Sequence, residues 1–496
     1  MTSAHRNSAH TVARYTGTAL MLIGATMFVP LVVLLFRPQE APLAPCIIFP
    51  AVTTMLAGYL ICFFLAKDGR ALTLSRAEAA GTTLLIWVLA IIAYAVPLVC
   101  SGTLDASQAI FESTSGLTTT GLSVVDVASC PMMLLLHRSM MHYVGGVGLI
   151  LMLACIVSDS HGLKLYSAEG HTERLLARTS SSARMVLVLY TAIIAVGTVA
   201  YIVAGMPAFD AVNISISAVS TGGFAVRPDS MASYDSPAIE AITVALMVAG
   251  ATNFLLNFML LRGKFRTFLR HAETPMFLAI AAGASVMIAG LLYASGQAGS
   301  LLDAARAGVF QAVSVMTSTG LQTVPSFGAL APGILYILML LMVIGGEAGS
   351  TSGGIKVYRL VVYVKSLIWA LRDKFGHRRR VYSNKINRFV ASIECTPEEI
   401  ASVRTFVGVY LLLLIACGFI FSLFGASLGD ALFESASCLG NTGIGVGFIQ
   451  AGSPDAVLIV ASIAMLFGRL GIFPLIFGLK WMLKSIGEEA RHVAHR

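Results

Sequence analysis

Charged side chains are scarce in this chain. Lys, Arg, Asp and Glu make up only 12% of its 496 residues, whereas 57% are hydrophobic. Soluble domains carry about a quarter charged residues. A single water-soluble core could not cover this much apolar surface. The composition therefore excludes an ordinary soluble domain and indicates that lipid is the solvent for most of the chain.

Motifs for catalysis and for metal or nucleotide binding are also missing. The eight cysteines show no CxxC or zinc-ligand spacing, which argues against a disulfide framework and a zinc site. No HExxH, GxSxG or Walker-type sequence occurs, so a membrane enzyme is a weak alternative. No GxGxxG strand–helix unit occurs either, so nucleotide control would require a separate chain. We expect no enzyme activity and no covalently bound cofactor.

Long apolar runs of the length that a bilayer requires recur along the chain. They predict ten membrane spans, at residues 17–37, 45–66, 81–100, 131–157, 184–206, 236–261, 275–296, 331–370, 405–424 and 454–483.

Basic residues follow these spans. Loops on one side are rich in Lys and Arg, whereas the other side holds only Arg37, Arg227 and Arg306. This positive-inside pattern places both termini in the cytoplasm and explains the net charge of +8 without a nucleic-acid partner. The basic run at 372–380 is either a topology signal or a docking surface for a cytoplasmic partner.

A short polar segment occurs four times between the later spans. Its copies read FESTSGLTTTG (111–121), VNISISAVSTG (212–222), FQAVSVMTSTG (310–320) and FESASCLGNTG (433–443). About twelve helical residues span only about 18 Å, too little to cross a bilayer, so we interpret each copy as a re-entrant loop. The predicted fold class is an all-α integral membrane protein. Four span–pore loop–span repeats surround one pseudo-fourfold pore, and two extra transmembrane helices precede them.

These repeats predict a division of the chain into five parts. The two extra helices occupy 1–70, and the four repeats occupy 71–183, 184–270, 271–390 and 391–496. Within each repeat, an Asp is expected to cap the N-terminus of the short helix; these are Asp105, Asp210, Asp303 and Asp430. A polar residue recurs further along in every copy: Glu112, Asn213, Gln311 and Glu434. The two glutamates could be protonated or could support the short helices.

The end of each copy predicts a quarter of a cation filter. Rings of backbone carbonyls can replace the hydration shell of a monovalent cation, and glycine permits the backbone to aim them inward. The alternative is that Thr-Gly pairs only allow close helix packing. The predicted filter residues are Thr119, Thr120, Gly121, Ser220, Thr221, Gly222, Ser318, Thr319, Gly320, Asn441, Thr442 and Gly443.

The second span of each repeat carries glycine at similar depth, and in the third repeat GGEAGSTSGG (345–354) cannot form a comfortable helix. We interpret this segment as a gate across the pore that Arg469 holds shut; the alternative is a static Arg that satisfies an unwound helix. Arg138 either snorkels to the outer interface or acts in conduction. The predicted gate residues are Gly345, Gly346, Glu347, Gly349, Ser350, Thr351, Gly353, Gly354 and Arg469.

These motifs, together with STGGF, RSMMHYVGGVG (138–148), GGEAGSTSGGIKVYR (345–359) and GRLG (468–471), resemble the TrkH/TrkG/KtrB family of potassium transporters over nearly the whole chain. The resemblance implies K⁺ uptake across a bacterial inner membrane, with K⁺ bound at the filter and Gly121 favouring K⁺ over Na⁺. It also implies a homodimer and a cytoplasmic, nucleotide-binding, TrkA-like regulatory ring. The two extra N-terminal spans look like the Trk branch, whereas Gly471 replaces the Glu common in TrkH and is closer to the KtrB pattern.

A secondary transporter coupled to Na⁺ or H⁺ is the main alternative function. Such folds often combine broken helices with inverted repeats. The repeats here share one orientation, which favours a channel-like pore. The sequence leaves the coupling open, because Glu112 and Glu434 could carry protons or support the loops.

Overall fold

The computed structural model describes residues 3–66, 74–148, 179–324, 326–375, 385–388 and 391–494. Most of the predicted docking run at 372–380 and the end of the predicted span 131–157 lie outside these residues. In its first part the chain forms α1 (Ser3–Met27), α2 (Ala44–Leu65), α3 (Arg76–Cys100), α4 (Ala106–Leu117), α5 (Met132–Val147), α6 (Thr179–Val203), α7 (Ala208–Val219), α8 (Pro237–Ala251), α9 (Phe254–Leu261) and α10 (Phe265–Arg270).

The remaining elements are also mostly helical. They are α11 (Glu273–Ala294), α12 (Leu301–Met316), α13 (Pro332–Ile344), α14 (Val357–Phe375), β1 (Lys385–Arg388), β2 (Ala391–Glu394), α15 (Pro397–Leu423), α16 (Leu428–Gly440), α17 (Asp455–Leu470) and α18 (Ile472–Ala494). Short 3₁₀ helices occupy Val29–Leu35, Pro38–Leu43 and Ser230–Tyr234.

The strands β1 and β2 correct the prediction of a purely helical chain. They pair antiparallel, with Lys385 opposite Glu394 and Arg388 opposite Ala391. The backbone N–H of Ala272 donates to the Asn387 carbonyl at 3.1 Å, so the hairpin is attached to the chain just before α11. Four residues per strand carry too weak a pattern to stand out beside long apolar runs.

Membrane spans are supported, although their predicted number is not confirmed. Among the described residues, six helices are long and apolar enough to cross a membrane, or up to eight if each of two bent pairs is one span. The six are Ala9–Leu35, Pro38–Leu65, Arg76–Cys100, Ala183–Val203, Glu273–Ala294 and Pro397–Leu423. The predicted span 331–370 consists of α13 and α14 with the glycine-rich segment between them.

Two predicted spans, 236–261 and 454–483, are sharply bent. The axes of α8 and α9 differ by 116°, and α17 bends by 112° into the helix that follows it. Asn253 caps α9 with its own side chain, which accepts from Leu255 N–H at 2.8 Å. Gly471 has a φ of +81°, which no right-handed helix adopts. The breaks therefore have local causes, a capping residue in one span and a glycine in the other.

The helices that follow the four polar segments end at similar distances along the chain. The helices α5, α8, α13 and α17 end 26, 28, 24 and 27 residues after Gly121, Gly223, Gly320 and Gly443. The glycine pattern predicted these positions, but it predicted a severe break only at 345–354. Among the described residues, breaks follow α8, α13 and α17, so a break is not confined to the glycine-rich segment.

The short helices are those predicted, but their caps differ. Asp105 caps α4, and its side chain accepts from Gln108 N–H at 2.8 Å. In α12 and α16, Ser300 and Ser427 are the caps, and in α7 the helix follows Pro207 without a side-chain cap. The other three aspartates stand at the third helical position, where a carboxylate still faces the positive end of the helix dipole; they are Asp210, Asp303 and Asp430.

The chain separates into two compact units. The first comprises Met1–Thr118, Ser123–Thr191 and Pro454–Arg496, and the second comprises Thr119–Leu122 and Ala192–Ser453. In the first unit, α1 and α2 pack closely through glycine: a Cβ at Gly17 would come within 2.6 Å of the Gly58 carbonyl oxygen. The second unit contains the ends of all four polar segments. The five divisions drawn from the sequence stay predictions.

Candidate functional site

Each short helix is followed by a backbone segment in which positive φ angles alternate with ordinary ones. The pattern is one residue with positive φ, one without, and then a glycine with positive φ. A left-handed conformation is strained for residues with a Cβ, so its recurrence at four places shows that the surroundings impose it. The pairs with positive φ are Thr119 and Gly121, Thr221 and Gly223, Ser318 and Gly320, and Asn441 and Gly443.

This pattern corrects the alignment of the second copy by one residue. The N–H of Gly222 donates to the Ser217 carbonyl at 2.8 Å, as Thr319 N–H does to Ser314 at 2.9 Å and Thr442 N–H to Ser437 at 3.0 Å. Gly222 therefore corresponds to Thr319 and Thr442. The residue equivalent to Gly121 is Gly223, not Gly222, and Ser220 lies one position before the left-handed residue.

Four glycines, Gly121, Gly223, Gly320 and Gly443, close the four segments into a ring; we call them the ring glycines. A Cβ on any one would overlap the carbonyl oxygen just before the ring glycine of another segment. Gly121 meets Gly222 O, Gly223 meets Thr319 O, Gly320 meets Thr442 O, and Gly443 meets Thr120 O. The order runs through all four copies and returns to the first.

The filter residues of the ring are buried except at the ring glycines, which are partly exposed. All four ring glycines are half-buried, whereas the predicted filter residues other than these glycines are buried. These buried residues are Thr119, Thr120, Ser220, Thr221, Gly222, Ser318, Thr319, Asn441 and Thr442. Gly223 is partly exposed like the other three ring glycines, whereas Gly222 is buried, and this difference supports the corrected register.

Side chains nine residues before the ring glycine hold three of the segments in place. Glu112 accepts from Val124 N–H at 2.9 Å, Glu434 accepts from Val446 N–H at 3.0 Å, and Gln311 donates to Thr323 Oγ1 at 3.1 Å. Each contact reaches the residue three positions beyond the ring glycine. The geometry of Glu112 and Glu434 is thus that of loop supports, while a role of either side chain in carrying protons during transport stays a prediction.

The second copy is supported differently. Ile214 occupies the position of Glu112, and Asn213 donates to the Phe209 carbonyl of its own helix at 2.7 Å. Arg227 instead pairs with Asp210 at 2.9 Å, and this hydrogen bond raises the pKa of the Arg227 guanidinium above its ordinary value. Tyr234 donates to the same carboxylate at 2.8 Å.

Arg138 neither snorkels nor faces an open pathway. Its side chain is 2% exposed, and Nε lies 2.7 Å from Oε1 of the fully buried Glu112. Nη2 also donates to Ser123 Oγ at 2.7 Å. Arg138 therefore neutralises the Glu112 carboxylate and anchors the segment that leaves the ring. The sequence offered a signal, an Arg inside an apolar span, but not its partner.

The glycine-rich segment 345–354 lies against the ends of three short helices. Thr351 Oγ1 donates to Val219 O at 3.2 Å and accepts from Thr221 Oγ1 at 3.0 Å. Ser352 lies 3.3 Å from Ser318, hydroxyl to hydroxyl, and a Cβ at Gly353 would overlap the Gly440 carbonyl. The predicted gate segment is thus buried directly beside the ring.

Within the segment, Glu347 accepts from Asn253 N–H at 3.0 Å and from Thr274 Oγ1 at 2.7 Å. Arg469 donates to the carbonyls of Gly145 and Gly146, in the last turn of α5. The predicted action of Arg469 on segment 345–354 stays a prediction. Among the described residues, no group of His, Cys, Asp and Glu side chains could hold a metal ion.

Comparison with known proteins agrees with this architecture. A model of the family described as "TrkH: Cation transport protein" matches residues 64–485. The chain belongs to this family. It is a family of transporters rather than of enzymes. The resemblance inferred from the motifs is confirmed.

Several relatives match almost end to end. The Trk system potassium uptake protein TrkH of Salmonella typhimurium is 30% identical, over 94% of this chain and 97% of that protein. TrkG of Escherichia coli is 27% identical, over 95% and 98% of the two chains. The crystal structure of the potassium transporter TrkH from Vibrio parahaemolyticus has a TM-score of 0.82 at 27% identity, covering 94% of this chain and 97% of that one.

The corrected register predicts unequal effects of two neighbouring substitutions. Gly223→Ala places a Cβ on a residue with φ of +84° and against the Thr319 carbonyl, whereas Gly222 has no positive φ. We expect Gly223→Ala to lower Rb⁺ uptake by about tenfold or more, because strain and overlap together exceed about 1.4 kcal/mol. Gly222→Ala should retain more uptake at equal membrane abundance. A stronger loss in Gly222→Ala would restore the alignment on Thr-Gly.

The buried pair predicts a large loss of stability in Arg138→Met. This change leaves the Glu112 carboxylate buried without its cation, which costs about 3–5 kcal/mol. Thermal unfolding of the detergent-solubilised protein measures the loss. Arg227→Met is the control: its side chain is 46% exposed, and its ion pair should contribute less than about 1 kcal/mol. Equal shifts in the two variants would contradict the assigned role of Arg138.

Proposed function

We propose that this chain carries K⁺ across the bacterial inner membrane through a channel-like pore whose selectivity filter is the ring of four segments. The closed ring is the observation that carries the proposal, since each half-exposed ring glycine lies against a carbonyl of the next segment, through all four segments. Carbonyl oxygens of this kind can replace the hydration shell of a monovalent cation. Membership of the cation transport family and the potassium uptake named in its relatives support the choice of K⁺.

In this proposal, the alternating backbone conformation presents successive carbonyls to the ion. The filter residues are the predicted ones with Gly223 added as the ring glycine of the second copy. The short helices end at the ring, so the negative ends of their dipoles favour a cation there. The oxygen-only surroundings suit K⁺ or Rb⁺ better than a metal that prefers nitrogen or sulfur.

The segment 345–354 is proposed as the gate of this pore. Its burial beside the ring and its contacts to Thr221 and Ser318 support that role. A homodimer and a TrkA-like cytoplasmic ring, with lipid around the spans, complete the proposal by resemblance to the family.

Flux into proteoliposomes tests the proposed function. Under an imposed membrane potential, without a proton or sodium gradient, radiolabelled Rb⁺ should enter and K⁺ should compete far better than Na⁺ or Li⁺. Liposomes without protein are the control. Uptake only in the presence of a proton or sodium gradient would instead indicate a coupled secondary transporter.

Arg469→Ala tests the gate. If Arg469 helps to hold segment 345–354 closed, its loss should raise Rb⁺ flux in proteoliposomes without any added partner. Arg266→Ala, at an exposed position of α10, serves as the control and should leave this flux unchanged. Flux at the wild-type level in Arg469→Ala would favour the static structural role of Arg469.

A further inference from the structure

The break between α8 and α9 lies against segment 345–354. At a 116° bend, the last carbonyls of α8 and the first N–H groups of α9 lose their helical partners. The glycine-rich segment has the same difficulty, because it also leaves the helical conformation. Irregular backbone at membrane depth is tolerated only where protein or water satisfies its polar groups.

The two irregular segments satisfy each other. The N–H groups of Glu347 and Thr351 donate to the carbonyls of Ala251 and Gly250, at 3.0 and 3.2 Å. In the opposite direction, Asn253 N–H donates to Glu347 Oε2 at 3.0 Å. Residues 250–254 and 347–351 therefore form one hydrogen-bonded patch between the second and third repeats.

Asn253 is the only side chain of residues 250–254 seen to join both parts of this patch. Its Oδ1 accepts from Leu255 N–H at 2.8 Å and caps α9, while its Nδ2 donates to the Ala348 carbonyl at 2.8 Å. The residue is 1% exposed. A Cβ at Gly349 would come within 2.5 Å of Nδ2, so the segment passes directly over the amide. One side chain thus fixes the bend and the segment together.

We propose that the α8–α9 break is the docking site of the gate segment and that Asn253 is its positioning residue. Opening the gate would then require segment 345–354 to leave the α8–α9 break. Its departure would leave backbone N–H and carbonyl groups of both segments without hydrogen-bond partners. Weakening the contact from Asn253 shifts the equilibrium toward the undocked segment. The inference rests on the proposed gate, although docking itself can be measured without transport.

Two further hydrogen bonds hold segment 345–354, so we expect the loss of the Asn253 contact to have only a moderate effect on its docking. Ala348 N–H donates to Glu273 Oε2 at 2.7 Å, and Thr274 donates to Glu347 at 2.7 Å. Glu273 and Thr274 lie at the start of α11, directly after Ala272, whose N–H donates to strand β1. Loss of the Asn253 amide therefore loosens the segment without releasing it.

The experiment compares Asn253→Ser with Asn257→Ser in the full chain. Serine is a good helix cap, so Asn253→Ser keeps the cap of α9 while its shorter side chain cannot reach Ala348. Asn257 is the matched control, because it is also buried and donates to a carbonyl at the same bend, Ala249 at 2.7 Å, rather than to the segment. Thermal unfolding shows whether both variants remain folded.

Two measurements decide the outcome. Hydrogen–deuterium exchange of peptides covering 345–354 should accelerate about two- to tenfold in Asn253→Ser, the range given by one lost hydrogen bond, and not in Asn257→Ser. Rb⁺ flux without added partner should rise by a similar factor, while competition by K⁺ and Na⁺ stays as in the wild type because the ring is untouched.

Equal exchange in the two variants would overturn the docking role of Asn253. Faster exchange with unchanged flux, in protein whose wild type shows K⁺-competed uptake, would overturn its control of conduction. If the wild type shows no K⁺-competed uptake, the proposed function fails, and exchange still decides whether the segment docks at Asn253.

Discussion

Backbone polar groups that lie at membrane depth must find partners within the protein, and the unusual parts of this structure all follow from that constraint. The segments after the four short helices are not helical, yet they lie in a chain with few charged or polar residues to spare. They are tolerated because each segment packs against the next in a closed ring. The ring glycines make this possible, since any Cβ would push the neighbouring carbonyl away.

The same constraint explains why the broken helices occur together. A single break would leave carbonyls and N–H groups without partners, whereas breaks at matching depth can be paired. Residues 250–254 and 347–351 pair in this way, and Arg469 supplies donors to the carbonyls freed at the end of α5. The irregular segments thus depend on one another. A structural change in one of them is expected to alter its partner directly, through the hydrogen bonds that they share.

Much of this arrangement could be predicted from the sequence because repetition amplifies weak signals. One Thr-Gly pair means little, but four copies between apolar runs indicated the short helices and the positions along the chain where the following helices end. The family also followed from these motifs. The wrong predictions were those that depend on contacts between segments far apart in the sequence. STGGF contains two glycines, and only the neighbouring segment determines that Gly223 takes the ring position.

Other misses have similar causes. The bend after α8 depends on Asn253, an ordinary cap residue that becomes decisive because Ala348 lies beside it. The partner of Arg138 is 26 residues away in sequence, so an Arg in an apolar span could be recognised as unusual without revealing its buried pair. The hairpin of β1 and β2 is too short to give a periodic signal. Pattern identifies elements, whereas pairing between distant elements stays hidden until the chain is folded.

The four copies also show which features the ring requires and which it does not. Their backbone conformations agree closely, yet the supporting side chains differ: an ion pair at Glu112, an amide at Gln311, and a carboxylate at Glu434 that forms no ion pair among the described residues. In the second copy Arg227 and Asp210 brace the segment from outside. The ring therefore constrains glycine and backbone strictly, whereas the side chains that support the outgoing residues differ from one segment to the next.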